Sequence, residues 1–159
     1  MNITFRAIDG STEVEACARM MQASEPWITL GRGYEAGLGM LRDETRERQV
    51  ALLDGVLAGF FVVTLQGPLA GYLQTICVAP EARGKGVGGA LMRHAEALVF
   101  ARHPNFFLMV SDFNTPAQAF YSRLGYSVIG ALHNYLIEGR SEILMRKTLG
   151  PIRGYTKKS

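Results

Sequence analysis

The stretch Ile76-Cys77-Val78-Ala79-Pro80-Glu81-Ala82-Arg83-Gly84-Lys85-Gly86-Val87-Gly88-Gly89-Ala90-Leu91 carries most of what can be read in this chain of 159 residues. Its first four residues end an almost wholly apolar segment that begins at Tyr72, the pattern of a strand covered on both faces and so central in a sheet. Pro80 stops the strand, and glycines at 84, 86, 88 and 89 lead into an apolar periodicity that predicts a helix over Ala90 to Arg102. The first amides of such a helix have no acceptor within it. Glycine lets a backbone approach an anion closely, the helix end adds about half a positive charge, and Arg83 and Lys85 add formal charge. Strand, glycine-rich loop and helix together make a phosphate-binding geometry.

Upstream of this segment, Ile3, Phe5 and Ala7 alternate with polar neighbours as a first strand, ended by Asp9-Gly10-Ser11. Thr12 and Glu15 have the spacing of a capping box, and Val14, Cys17 and Met21 share one face of the helix that follows, which should stop near Ser24-Glu25-Pro26. A second helix, weakened by Gly37 and Gly39, is predicted from Tyr34 to Arg46, leaving Ser24 to Gly33 as a loop. Val50 to Leu53 and Leu57 to Leu65 form a hairpin about Asp54-Gly55, and Gln66-Gly67-Pro68 turns the chain into the central strand. Downstream, Phe106 to Val110 reads as a fifth strand. Thr115 to Leu124 is a short helix with Pro116 early and Gly125 closing it, and Tyr126 to Ala131 and Ile143 to Met145 are the last strands. The expected fold is α/β (α+β): one domain over residues 1–149 with a mixed, mostly antiparallel sheet of about seven strands flanked by about four helices, then a loose basic tail over 150–159.

Composition removes several classes of function. Hydrophobic residues are 48% and charged ones 19%, ordinary for a globular domain. No apolar run reaches the roughly 18 residues of a membrane helix, and Met1 to Arg6 lack the apolar core of a signal peptide, so a cytoplasmic location without membrane partners is expected. Cys17 and Cys77 stand alone without metal-ligand spacing, so no metal is expected. The pI near 9.0 raises nucleic acid as a partner. Residues 1–150, however, hold 14 basic and 14 acidic side chains, and the excess of +3 comes from Arg153, Lys157 and Lys158. No nucleic-acid partner is expected from a neutral folded part.

Gly84-x-Gly86-x-x-Gly89 also satisfies the dinucleotide fingerprint, with Asp112 near the expected spacing of about 20 residues. In that fold the first glycine follows the strand directly, whereas Pro80 to Arg83 intervene here. A Walker A loop is excluded because no glycine-lysine-Ser/Thr triplet exists. The segment instead resembles the acyl-CoA signature of the GNAT superfamily of N-acetyltransferases, Gln/Arg-x-x-Gly-x-Gly/Ala, through Arg83, Gly86 and Gly88. A second hallmark of that superfamily is similar to Asn114, Ala117, Phe120-Tyr121 and Leu124-Gly125-Tyr126, and the resemblance covers residues 3 to 148.

The resemblance implies transfer of an acetyl group from acetyl-CoA to a primary amine of a small molecule, peptide or protein, on a sheet whose fourth and fifth strands splay. It implies that main-chain groups of Ile76, Cys77 and Val78 meet the pantetheine arm. Arg83 and the amides of Gly84, Lys85, Gly86, Val87, Gly88 and Gly89 would hold the pyrophosphate, and Asn114 would contact the pantetheine. Tyr121 would protonate the departing thiolate, a phenol of pKa near 10 serving a thiol of about 8.5. A strand-four N–H would polarise the thioester carbonyl as charge builds on its oxygen. Glu25 and Trp27, with Tyr72 and Gln74, would border the acceptor, and a homodimer is compatible with the family.

Plainer readings stand beside these. Tyr121 and Trp27 also fit a core, His94 fits a half-buried helix face better than a catalytic base, and Cys77 fits a small packing residue better than a nucleophile. The carboxylates that some relatives carry in strands four and five are missing here, which leaves Glu25, Asp112 or Glu142 acting through water, or solvent alone, to take the amine's proton. A non-catalytic acyl-CoA-binding module is the alternative function, and a dinucleotide-dependent oxidoreductase the third.

Overall fold

Alternating apolar residues and turn chemistry produce seven strands: β1 (Ile3–Ala7), β2 (Glu47–Leu53), β3 (Val56–Thr64), β4 (Tyr72–Val78), β5 (Asn105–Ser111), β6 (Ser127–His133) and β7 (Ser141–Thr148). The computed structural model, which describes residues 1–156, joins them into one sheet ordered β1-β2-β3-β4-β5-β7-β6. Every neighbouring pair is antiparallel except β4 and β5, which run parallel. Five helices accompany the sheet: α1 (Gly10–Gln22), α2 (Trp27–Leu30), α3 (Tyr34–Leu41), α4 (Val87–Phe100) and α5 (Thr115–Arg123). Asp54 and Gly55 both adopt positive φ at the β2–β3 turn, as an Asp-Gly hairpin requires.

Period-two alternation divides the core between the two faces. Phe61, Val63, Leu108 and Val110 pack with α4 on one face, while Val50, Phe60, Val62 and Cys77 pack with α1 and α3 on the other. Burial on both faces explains the nearly continuous apolar runs in β3 and β4. Tyr126, which follows α5, donates its hydroxyl to Glu96 of α4 at 3.1 Å, and Lys147 of β7 meets the same carboxylate at 3.0 Å.

Several boundaries differ from expectation for local reasons. The capping box at Thr12 does not form: α1 starts at Gly10, and Glu13 rather than Glu15 accepts the Asp9 N–H at 2.7 Å while pairing with Arg6. The second predicted helix ends at Leu41 instead of Arg46, because Asp43 folds back on Thr45 and Arg46. The loop from Ser24 to Gly33 contains a fifth helix, α2, closed by Gly31 in the left-handed region. In the expected tail, Tyr155 donates its hydroxyl to the Phe100 carbonyl, while its neighbours from 151 to 156 are exposed. Lys157 and Lys158 of that tail lie outside the described residues.

Candidate active site

The sheet comes apart at its centre. Strands β4 and β5 pair only at Tyr72 with Phe107 and Leu73 with Leu108, and Phe107 N–H donates to the Gly71 carbonyl at 2.8 Å. Gly71 has φ +77°, and a side chain there would run into the Asn105 carbonyl and, at 2.7 Å, into Val99, so this seam requires glycine. Immediately beyond it, Val62 pairs with Thr75 but Val63 pairs with Leu73, leaving Gln74 as the extra residue of a bulge. The bulge also switches faces: Leu73 packs on the α4 side, whereas Cys77, an even number of residues later, packs on the α1 and α3 side. Past Gln74 the two strands diverge around a cleft of about 1080 Å³.

This cleft gathers Glu25, Trp27, Tyr72, Gln74, Ile76, Cys77, Val78, Arg83, Gly88, Asn114 and Tyr121, residues scattered over almost a hundred positions of sequence. Ala79 N–H donates to Ala58 of β3 at 2.8 Å. By alternation, the main-chain groups of Cys77 also turn to β3, and those of Ile76 and Val78 turn into the cleft. The Cys77 thiol is buried, 3.6 Å from Ser24 Oγ, and burial raises its pKa, which fits packing rather than nucleophilic chemistry.

Helix α4 begins at Val87, three residues before the predicted start, with Gly86 as its N-cap at φ +81°. Val87 is consequently a buried core residue whose only polar contribution is its main chain. Gly84, Lys85, Gly86 and Gly89 lie on the loop and helix end outside the cleft lining, which Arg83 and Gly88 reach. Arg83 is committed within the protein, meeting Ser24 Oγ at 3.2 Å and the Val78 carbonyl at 3.4 Å. Asn114, which lines the cleft, caps α5 by accepting the Ala117 N–H at 3.3 Å, and its amide NH₂ has no hydrogen-bond partner among the described residues. Tyr121 packs between Phe120 and Tyr126, lines the cleft, and has no protein hydrogen bond to its hydroxyl among the described residues. Burial drives its pKa well above the usual phenol value, so it carries its proton throughout the neutral range.

Trp27, Leu30 and Arg32 from the α2 segment and Tyr135 and Leu136 from the β6–β7 connection line the cleft together with Tyr72. Burial, with the charges of Tyr135 and Glu142 nearby, pushes Tyr72 up to about 12. Glu25 reaches this wall, but its carboxylate caps α2 through the Thr29 N–H at 3.2 Å and hydroxyl at 2.9 Å. Arg32, Thr75 and Ser111 line the cleft without having been singled out in the sequence; Thr75 was detectable as a lone hydroxyl in an apolar strand. His94 lies outside the cleft, its ring stacked 4.3 Å from Phe5. Among the described residues no cluster of side chains is arranged to hold a metal.

The family model described as Acetyltransferase (GNAT) family matches residues 14–126. This chain belongs to the GNAT acetyltransferase family. Its sequence is 39% identical over 88 residues to the streptothricin acetyltransferase of Streptomyces lavendulae, covering 54% of this chain and 46% of that one. The ribosomal-protein-S18-alanine N-acetyltransferase of Escherichia coli superposes with a TM-score of 0.76 at 20% identity, covering 97% and 99% of the two chains. An aminoglycoside 6'-N-acetyltransferase solved with coenzyme A gives 0.73 at 20% identity, covering 95% and 98%. The last two likenesses concern the fold. The GNAT chain described here spans about half the length of the relatives it matches in sequence.

Proposed function

We propose that the chain transfers the acetyl group of acetyl-CoA to a primary amine. The observation that carries this reading is Tyr121, a protonated and otherwise unpartnered phenol on the wall of a cleft that opens where β4 and β5 separate. The pantetheine arm of acetyl-CoA would run along β4, taking the Ile76 main-chain groups and the Val78 N–H that β5 leaves unpaired. The pyrophosphate would sit on the loop from Arg83 to Gly89, and the Asn114 NH₂ would hold an arm carbonyl. A cleft-facing β4 amide would stabilise the charge that develops on the thioester oxygen. Tyr121 would give its proton to the departing sulfur. Retention of this acid favours transfer over a module that merely binds acyl-CoA.

The charges around the acceptor end support a compact amine or a peptide terminus. Glu25 and Glu142 are accompanied in the lining by Arg32 and Arg83, so the wall lacks the surplus of carboxylates that a polycation such as an aminoglycoside would call for. The test is release of free thiol from acetyl-CoA across a panel of alkylamines, peptide N-termini, lysine peptides and aminoglycosides. Turnover is expected with one of the first three groups. Acetyl-CoA binding without thiol release for any amine would overturn the transfer reading in favour of the binding module.

A further inference from the structure

We propose that Glu142 of β7 is the general base that deprotonates the acceptor amine, an assignment that rests on the acetyl-transfer reading above. Of the three carboxylates near the cleft, two are already engaged. Glu25 caps α2, and Asp112 accepts the Ser141 N–H at 2.9 Å and faces Arg140 at 3.7 Å. Glu142 lines the cleft, is only 6% exposed, and has no ion pair among the described residues.

Its position follows from register. Phe106, Leu108 and Val110 of β5 pack on the α4 side, so Ser111 points to the opposite face, and Glu142 pairs directly with Ser111 across the ladder. Glu142 therefore lies on the α1 and α3 face, against which Trp27 packs, while Tyr121 belongs to the α4 face. Base and acid stand on opposite sides of the split sheet, so the base can meet the amine as it adds to the thioester carbonyl while the acid meets the sulfur that leaves when the tetrahedral intermediate collapses. Burial, reinforced by Asp112, raises the Glu142 pKa, and Ser111 and Arg32 partly offset the rise. The Ser111 hydroxyl, buried and without a well-aligned partner of its own, is placed to steady the carboxylate. A carboxylate made more basic in this way is better matched to an ammonium ion than an ordinary surface glutamate.

The protons balance as follows. The Glu142 carboxylate takes one proton from the ammonium, directly or through one water. The freed lone pair forms the C–N bond, the C–S pair leaves on sulfur, and sulfur takes the Tyr121 proton. The second nitrogen proton, shed as the amide forms, restores the phenol through solvent, and Glu142 returns its proton to solvent, so one proton is released per turnover.

The experiment compares the unaltered protein, Glu142→Gln and Glu142→Asp with the best alkylamine from the panel, measuring kcat, KM, acetyl-CoA affinity and the pH profile of kcat/KM. The titrating neighbours Asp112, Tyr72, Tyr135 and His133, and the cations Arg32 and Arg140, are the same in all three proteins. Glu142→Gln is expected to lose about 10² of kcat or more, with acetyl-CoA affinity unchanged. Its rate should continue to climb with pH as free amine accumulates, and the aspartate should restore part of the loss. Because the native carboxyl holds its proton more tightly than the unfolded one, ionising it costs stability as pH rises through the native pKa. Glu142→Gln should therefore match or exceed the wild-type Tm at pH 8, which separates lost catalysis from lost folding. An active unaltered protein with a Gln variant of unchanged kcat and unchanged pH profile would overturn the role of Glu142 alone. A Gln variant with a lower Tm at pH 8 and weakened acetyl-CoA binding would overturn it too, by showing a structural role. No thiol release by the unaltered protein would remove the transfer reading and this assignment together.

Discussion

Tyr121 lies close enough to the core that its hydroxyl is the only reason to regard it as more than packing. Removing that one atom is a clean question, because the ring contacts with Phe120 and Tyr126 stay. Tyr121→Phe is expected to lower kcat by about 10² or more with little change in acetyl-CoA affinity. Rapid-mixing measurement of thiol appearance is the proper readout, since it reports chemistry even where product release is slow. A near-normal rate would return Tyr121 to the core. This residue was legible in the sequence because it belongs to a local motif with Asn114 and Tyr126. Glu142 was legible only as one of three carboxylates. Its distinction comes from pairing with Ser111, thirty-one positions away, and from a burial that no local pattern records.

At the level of single elements, the junction of β4 with α4 concentrates the most chemistry in the fewest residues. Gly86 sits at the helix N-terminus in the left-handed region with open space around it, so the position tolerates bulk but constrains the backbone. Asparagine adopts that conformation more readily than other side chains and carries no charge, whereas aspartate adds a negative charge of nearly the same shape. Gly86→Asp is expected to weaken acetyl-CoA binding by at least about tenfold, and Gly86→Asn by much less, if the pyrophosphate lies at the helix end. Equal affinities by calorimetry would move the pyrophosphate elsewhere. The early start of this helix escaped the sequence because Gly88 and Gly89 are poor helix formers; here they are carried by tertiary packing, with Gly88 set against Phe120 and Val78. Strand β7 was read as three residues and is eight, since Glu142, Arg146 and Lys147 broke the apolar signal although the ladder to β5 runs through all of them.

Across the whole molecule, the hairpin before β4, the nearly apolar fourth strand and the helix bridging to the fifth are visible in the sequence, whereas the placing of β7 between β5 and β6 is not. The bulge at Gln74 does not, because nothing in Leu73-Gln74-Thr75 marks which partner each residue takes on β3. Yet that extra residue lies where the sheet parts, and the main-chain ladder between the halves is only two residue pairs and one further hydrogen bond, with α4 packed across both. A sheet with so short a seam is mechanically two plates sharing a pivot. A ligand arm lying along Ile76 and Val78 would serve as the missing rungs, clasping one plate to the other. Hydrogen–deuterium exchange by NMR should then find these two amides exchanging quickly in the free protein and slowed at least about tenfold by saturating coenzyme A. Amides of the β2–β3 hairpin, remote from the pivot, should keep their rates. Were Ile76 and Val78 to exchange at the same rate with and without ligand, the arm would have to run elsewhere.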